Sequence, residues 1–293
     1  MIILLFIFGA VFGSFLNVVI CRLHTGENII KKPSHCPHCK KKLSWRELIP
    51  ILSFFILGRK CAECRAKISW QYPVVEFLSG ALWVLVFYKI FGLEFGFWNL
   101  KIVWDLLVRR SSSSLSFDLG AGGGFGIWDF VYAVYIFSSL LVISAYDVRH
   151  KLIPDKIIYP AVIISLLYGL YQAFISGDIK ENLLLPLAAA LAAFLAFYLI
   201  VLFSRGRAMG FGDVKLAFLI GFFLSYPDIL AALWWAFVLG AIFGIMLIAV
   251  GRKNLKSLLP FGPFLAFGTL IVYFFPWQVF VNLLLNIVLV TSN

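Results

Sequence analysis

Long apolar runs separated by short polar segments dominate the chain. A helix needs roughly 20 residues to cross a bilayer whose hydrocarbon core is about 30 Å thick, and eight runs approach that length. They lie at about 2–21, 72–91, 128–146, 157–175, 183–203, 211–226, 229–250 and 258–275. The pattern predicts an all-α polytopic membrane protein with about eight transmembrane helices. The apolar tail at 277–290 is only about half a membrane thick, so the sequence leaves open whether it forms part of a ninth span or a re-entrant segment.

Composition supports this fold class. The 293 residues are 62% hydrophobic and 13% charged, whereas soluble domains are about half apolar and about a quarter charged. The first run has no basic segment before it and no small-x-small cleavage site, so we expect it to stay in place as the first transmembrane helix, residues 1–21.

The basic residues predict the orientation of the helices. Of the 25 Lys and Arg residues, 20 fall on one side of the membrane if the eight spans simply alternate, and eleven of those lie between the first two spans. The positive-inside rule places this side in the cytoplasm and the N-terminus outside. The net charge of +11 therefore reports topology and does not predict a nucleic-acid partner.

Two polar segments complete the predicted organisation. Residues 22–71 form a cytosolic insertion rich in Cys, Lys and His, and it leads into the second transmembrane helix at 72–92. Residues 93–127 contain runs of Ser and Gly, which are typical of a flexible linker, and we expect an external loop there. Residues 128–293 are then expected to form a transmembrane catalytic bundle.

The cytosolic insertion carries a pattern that is typical of a metal site. Two C-x-x-C pairs stand 21 residues apart, and four thiolates at such spacing form a tetrahedral zinc site. A disulfide framework is disfavoured in a reducing compartment, and dithiol exchange does not need a second pair. A site closed by four thiolates is structural rather than catalytic. The predicted ligands are Cys36, Cys39, Cys61 and Cys64; the neighbouring His35 and His38 are alternatives that we expect to be solvated.

Two aspartates stand where the predicted topology can bring them together. Asp147 ends the third span and Asp213 opens the sixth, both on the cytosolic side. Gly210 and Gly212 allow a helix or an extended substrate to approach closely. Two adjacent carboxylates share a proton, so one can act as general base and the other as general acid. Spacing alone leaves two alternatives open, which are an ion-coupled transporter and two solvated interfacial charges.

Three other acidic residues lie at or near the ends of predicted spans, and we expect binding, ion-pairing or capping roles for them. Glu76 lies one turn into the second span, where it can bind substrate or pair with a cytosolic lysine. Asp155 follows Pro154 and precedes the fourth span, which favours a helix cap. Asp129 begins the third span, and we expect a second cap there.

Several segments, in order, resemble the type IV prepilin peptidases. They are GSFLNVVICRL at 13–23, ISWQYPVVEFLSG at 68–80, YDVRHKLIPD at 146–155, GFGD at 210–213 and LPFGPFLAFG at 259–268. GFGD matches the family's G-x-G-D motif, which also occurs in presenilin-like proteases that lack the cysteine insertion. The resemblance covers almost the whole chain and implies that Asp147 and Asp213 are the catalytic residues.

The resemblance implies two reactions at the cytosolic face of the bacterial inner membrane. The family removes a basic leader from type IV prepilins or pseudopilins and then methylates the new N-terminal residue with S-adenosylmethionine. No G-x-G-x-x-G segment follows a predicted strand, so the sequence identifies no residues for this cofactor. The cytosolic basic residues can bind anionic membrane lipids. The alternatives are a presenilin-like protease without methylation and a non-enzymatic ion-coupled transporter.

The predicted orientation can be tested by labelling from outside the cell. A Ser113→Cys variant should react with a membrane-impermeant thiol reagent in intact cells, because residues 93–127 are expected to face outward. Wild-type protein is the control, since its own cysteines are predicted to be cytosolic or in the membrane. Labelling of position 113 only after permeabilisation would show that the orientation is reversed.

Overall fold

The computed structural model describes residues 1–28, 32–91, 126–206, 209–250 and 260–277, and within these ranges regular structure is almost entirely helical. No strand occurs in them; the extended pairing is limited to two isolated bridges. The all-α prediction is confirmed. The helices of this part of the chain are α1 (Ile2–Thr25), α2 (Leu52–Ile56), α3 (Gln71–Phe91), α4 (Gly126–His150), α5 (Asp155–Ser176), α6 (Leu185–Phe203), α7 (Phe211–Leu224), α8 (Asp228–Ala249) and α9 (Gly262–Phe274).

In the described part of the chain, six helical segments are long and apolar enough to cross a membrane. They correspond to α1, α3, α4, α5, α6 with the π-helical turn Lys180–Leu184 that precedes it, and α8. The other two predicted spans are occupied by shorter helices, of 14 residues in α7 and 13 residues in α9. At 1.5 Å per residue these helices reach only about 20 Å. The predicted external loop at 93–127, apart from its last two residues, and the tail beyond 277 lie outside the described residues.

Helix α4 forms the centre of the bundle. In its most apolar window 67% of the residues are buried, against 22–33% in the other five candidate spans. Its buried residues, among them Ile136, Leu140 and Ile143, join one large core cluster with side chains of α5, α6, α7 and α9. The central position matters for function because the last turn of α4 carries Asp147.

Small residues bring the surrounding helices close together. A methyl group on Gly221 of α7 would lie 2.8 Å from the Cα atom of Ala190 in α6. A methyl group on Gly268 of α9 would overlap the carbonyl oxygen of Ala232 in α8. Lipid provides no hydrophobic driving force between helices, so close backbone packing of this kind is a main source of their association.

Asp129 is not a helix cap. It lies in the first turn of α4, is buried, and accepts hydrogen bonds from the hydroxyl of Tyr168 and from Nε2 of Gln172, the latter at 2.9 Å. Both donors belong to α5. A carboxylate in a membrane bundle needs such partners because burial without them is expensive. The expectation of a cap was wrong because the sequence does not show which helix packs beside Asp129.

The packing at Gly268 leads to a stability prediction. Gly268→Ala should destabilise the bundle by about 1–3 kcal/mol, because the added methyl group overlaps the backbone of α8. Gly244→Ala in α8 is the matched control, since nothing lies within 4 Å of a methyl group built there. Thermal unfolding in detergent checks this; equal midpoints for the two variants would contradict the close packing of α8 and α9.

Candidate functional site

Asp147 is held by the start of another helix. It lies in the last turn of α4 with only 5% of its surface exposed. Its Oδ2 atom accepts a hydrogen bond of 2.9 Å from the backbone amide of Gly262, the first residue of α9. A methyl group on Gly262 would lie 2.8 Å from the same oxygen. Only glycine therefore lets the backbone approach the carboxylate so closely.

This contact also provides a hydrogen-bond acceptor for the first backbone amide of α9. The first amides of a helix have no partner within the helix. The N-cap residue of α9, Phe261, supplies no side-chain hydrogen bond. The carboxylate of Asp147 takes that role, and the positive end of the helix dipole favours its negative charge. The sequence indicates a helix start here through Pro263 directly after Gly262, but it does not indicate which acid the amide binds.

Asp213 lies near Asp147 in the first turn of α7. Only 9% of its surface is exposed, and its backbone amide donates a 3.2 Å hydrogen bond to the carbonyl of Gly210. Asp147 is close enough to act electrostatically on the carboxylate of Asp213. Helix α9 packs against both α4, which carries Asp147, and α7, which carries Asp213. The structure thus brings together the two aspartates that the sequence singled out.

The two glycines of the GFGD segment differ in their surroundings. A methyl group on Gly212 would lie 2.8 Å from Cβ of Ile153, in the turn between α4 and α5. Gly212 is therefore needed for close packing within the protein. At Gly210 the nearest atom to an added methyl group is Oδ2 of Asp213, 3.9 Å away, so this position is open. Of the two, Gly210 has the room for a bound substrate.

Asp155 is bound to Lys215, two residues beyond Asp213. Nζ of Lys215 lies 2.6 Å from Oδ1 of Asp155 and 4.9 Å from the ring centre of Tyr159. Asp155 begins α5 but makes no capping hydrogen bond; the N-cap residue is Pro154. The expectation of a cap was wrong, since the carboxylate reaches a neighbouring helix instead of its own backbone.

Glu76 lies in α3 and is buried. Its Oε2 atom accepts a 2.7 Å hydrogen bond from the backbone amide of Ile51, which directly precedes α2. Ile51 has a φ of 63°, a conformation that non-glycine residues adopt only when their surroundings hold them there. Glu76 therefore fastens the segment before α2 to the membrane bundle, a role that the sequence did not suggest.

The four cysteines form two matching turns. In each turn the first cysteine receives a hydrogen bond on its carbonyl from the residue after the second cysteine, at 2.9 Å from Lys40 and 3.1 Å from Arg65. Lys40 and Arg65 both have a φ of 59°. One antiparallel bridge flanks each turn. The second C-x-x-C segment thus repeats the backbone path of the first.

The two turns face each other so that their sulfurs converge. All four Sγ atoms lie within 4.8 Å of one another, with 3.8 Å between Cys36 and Cys64 and 4.0 Å between Cys39 and Cys61. Thiolates are the metal-binding form of cysteine, so this cluster can hold a metal ion.

The two histidines do not belong to this group. His35 lies 3.8 Å from Glu27 through Nε2, and neither His35 nor His38 is among the converging ligand atoms. Among the described residues, the set of converging ligand atoms therefore consists of cysteine sulfurs alone.

Comparison with known proteins agrees with this arrangement. The model of the bacterial peptidase A24 N-terminal domain matches residues 7–90, and the model of the type IV leader peptidase family matches residues 134–245. The second match includes both aspartates, and the first includes all four clustered cysteines. No solved structure matches the chain.

Curated relatives extend the similarity over nearly the full length. A prepilin leader peptidase/N-methyltransferase of Bacillus subtilis is 30% identical over 94% of this chain and 94% of its own length. Proteins of the same name from Myxococcus xanthus and Stutzerimonas stutzeri are 31% and 26% identical over 86% and 89% of this chain, and 65% and 86% of their own lengths. The chain belongs to the type IV leader peptidase family.

Proposed function

We propose that the protein removes the basic leader peptide of type IV prepilins or pseudopilins at the cytosolic membrane face and then methylates the new N-terminal residue. The names of its relatives support both reactions. The single observation that carries the peptidase activity is the pair of buried carboxylates, Asp147 in the last turn of α4 and Asp213 in the first turn of α7, which act on each other electrostatically.

The two carboxylates have the properties that peptide hydrolysis needs. One, in its charged form, takes a proton from a water molecule as the water oxygen bonds to the scissile carbonyl carbon. The other, protonated, gives its proton to the carbonyl oxygen. Collapse of this intermediate breaks the carbon–nitrogen bond, and the leaving amine takes up a proton. The Gly262 amide stabilises Asp147 in its charged form, which favours Asp147 as the base.

The substrate reaches such a site laterally, from within the bilayer. Both aspartates lie at helix ends, and many apolar side chains of the long helices are exposed, as expected for surfaces that face lipid. A prepilin carries its own hydrophobic helix, so it is delivered within the bilayer plane. Gly210, with open space around it, is the candidate contact for the extended segment that is cleaved. Gly212 supports the site by packing against Ile153, whereas Glu76 binds the backbone amide of Ile51.

We propose zinc as the metal in the cysteine cluster. Four sulfurs arranged tetrahedrally at a Zn–S distance of about 2.3 Å lie roughly 3.8 Å apart. The Cys36–Cys64 and Cys39–Cys61 sulfurs are 3.8 and 4.0 Å apart, and all four lie within 4.8 Å of one another. Cys36, Cys39, Cys61 and Cys64 would hold the ion and close its coordination. The metal would then stabilise the fold of residues 32–70 and take no part in hydrolysis.

S-adenosylmethionine is the methyl donor that the proposed second reaction requires. When bound, it supplies an electrophilic methyl group on a sulfonium sulfur.

Replacement of either aspartate should stop leader cleavage. We expect Asp147→Asn and Asp213→Asn each to lower the cleavage rate at least about a hundredfold, because an amide cannot exchange the required proton. The double variant should be no slower than either single one, since the two groups act as a unit. Mass spectrometry of the N-terminus of a co-expressed prepilin measures this. Near-normal cleavage by membrane-integrated Asp147→Asn would contradict the pair.

Asp155→Asn is the matched control for this experiment. The substitution removes the charge that pairs with Lys215 and leaves Asp147 and Asp213 unchanged. The Asp155 side chain of this ion pair is exposed. Exposed ion pairs contribute little, about 0–1 kcal/mol, so cleavage should remain close to that of the wild type. The same assay separates the alternatives. Cleavage without methylation indicates a presenilin-like protease. If neither reaction occurs, the ion-coupled transporter is the alternative that remains.

The proposed zinc site predicts about one zinc ion per chain. Cys36→Ser should lower the zinc content and make residues 32–67 more sensitive to protease, because the segment loses its central cross-link. Cys21→Ser is the control, as Cys21 lies outside the cluster, beside the hydroxyl of Tyr72. Elemental analysis and limited proteolysis measure the two effects. A reduced, active preparation without zinc would refute the proposal.

A further inference from the structure

A cavity of about 390 Å³ lies between the cysteine-rich segment and the membrane bundle. Its walls come from α1, the first turns of α3, the two cysteine turns and the end of α4. Neither Asp147 nor Asp213 lines it, so it is distinct from the peptidase site. Cavities of about 300–1,000 Å³ are typical of sites for small molecules and cofactors.

One polar atom in the wall of this cavity lacks a partner. Asn17 of α1 has only 1% of its surface exposed, and its Nδ2 donates a 3.0 Å hydrogen bond to the carbonyl of Tyr72. Its Oδ1 is buried and has no hydrogen-bond partner among the described residues. A buried acceptor without a partner costs about 1–3 kcal/mol. A ligand that places an N–H or O–H donor there would recover this cost.

The remaining lining offers charges of both signs next to an aromatic ring. Arg149 contributes a guanidinium group and Tyr72 its ring. Glu76 and Glu27 contribute carboxylates, each with one oxygen already engaged, at 2.7 Å from the Ile51 amide and at 3.3 Å from Nζ of Lys32. The other charged residues of the lining are Arg22, Lys40, Lys67 and Glu47. A ligand that matches this set carries a cationic centre for the carboxylates and an anionic group for Arg149. It also carries a flat ring and hydrogen-bond donors.

We propose that this cavity binds the methyl donor, S-adenosylmethionine. The proposal rests on the methyltransferase activity proposed above and assigns its site. The sulfonium and ammonium groups of the donor match the carboxylates, and its carboxylate matches Arg149. The adenine amino group and the ribose hydroxyls are the donors that the buried Oδ1 of Asn17 lacks. The cavity therefore fits the group on the chemistry of its own residues.

The position of the cavity places the two reactions on opposite sides of one helix. Asp147 and Arg149 are two residues apart in α4, which separates their directions by about 200° around the helix axis. Asp147 contacts α9, whereas Arg149 lines the cavity beside α1 and α3. The methyl donor can thus remain bound while a prepilin occupies the aspartates. The cleaved N-terminus needs to pass only around the end of α4.

The transfer step at this site needs no further reactant. The new N-terminal amine, unprotonated, uses its lone pair to bond to the methyl carbon. The carbon–sulfur bond breaks, its electron pair stays on sulfur, and the sulfonium becomes a neutral thioether. The methylated amine then releases its extra proton to water.

Binding to full-length protein in detergent tests the proposal. Equilibrium dialysis with radiolabelled S-adenosylmethionine should show at least about tenfold weaker binding to Asn17→Leu, which removes the buried acceptor. Val18→Phe fills the cavity from α1 and should weaken binding in the same way. Ser79→Ala is the matched control, because its hydroxyl is equally buried and unpartnered but lies outside the cavity.

A second readout is independent of affinity and of activity. Cys21 lines the cavity and is partly exposed, so bound S-adenosylhomocysteine should slow its reaction with N-ethylmaleimide. Peptide mass spectrometry distinguishes Cys21 from the clustered cysteines. Leader cleavage by the same variants shows that they are folded.

The possible outcomes separate this proposal from the one on which it rests. The cavity assignment is overturned if the wild-type protein cleaves and methylates prepilin while both cavity variants bind the donor normally and bound S-adenosylhomocysteine leaves Cys21 unprotected. A raised KM for prepilin in those variants, with donor binding unchanged, overturns it in favour of the basic leader as occupant. Wild-type protein that binds the donor but neither cleaves nor methylates prepilins contradicts the proposed function itself.

Discussion

The site depends on how a carboxylate is stabilised inside a bundle of apolar helices. Asp147 is almost fully buried, and an ionised carboxylate without partners is costly in such surroundings. The amide of Gly262, at the positive end of α9, provides the hydrogen bond that offsets this cost. The same bond satisfies the first amide of α9. One contact between residues 115 positions apart thus fixes both the acid and the helix beside it.

Close packing by small residues makes this arrangement possible. Gly262 lets the start of α9 reach Asp147, Gly212 lets the start of α7 reach Ile153, and Gly268 holds α9 against α8. Each of these contacts brings backbone near another segment, where any side chain would intervene. The short helices α7 and α9 therefore act as rigid supports for the two acids.

The apolar pattern predicted the helices well because each span depends on its own composition. The sequence also singled out Asp147 and Asp213 as candidates and predicted the grouping of the four cysteines, since charge at membrane depth and paired C-x-x-C spacing are local signals. It did not predict the partners of Asp129, Asp155 or Glu76. Tyr168, Lys215 and the Ile51 amide come from segments distant in the sequence, and which helices pack side by side is not encoded in any single window. Gly262 was part of a recognised segment, but its role appears only when α9 is placed beside α4.

The central position of α4 explains how one chain can hold two kinds of chemistry. Its buried faces form the core, so its last turn is held firmly, while its end lies where the membrane bundle meets the cysteine-rich segment. The hydrolysis that we propose uses Asp147 and Asp213, which are both buried. A nucleoside-sized ligand needs a cavity of at least about 300 Å³, and the membrane helices alone do not enclose the cavity described above. The cysteine turns supply the missing wall: Cys36 and Cys61 line the cavity opposite α1 and α3, so the segment that a metal would organise is also the one that encloses the ligand site.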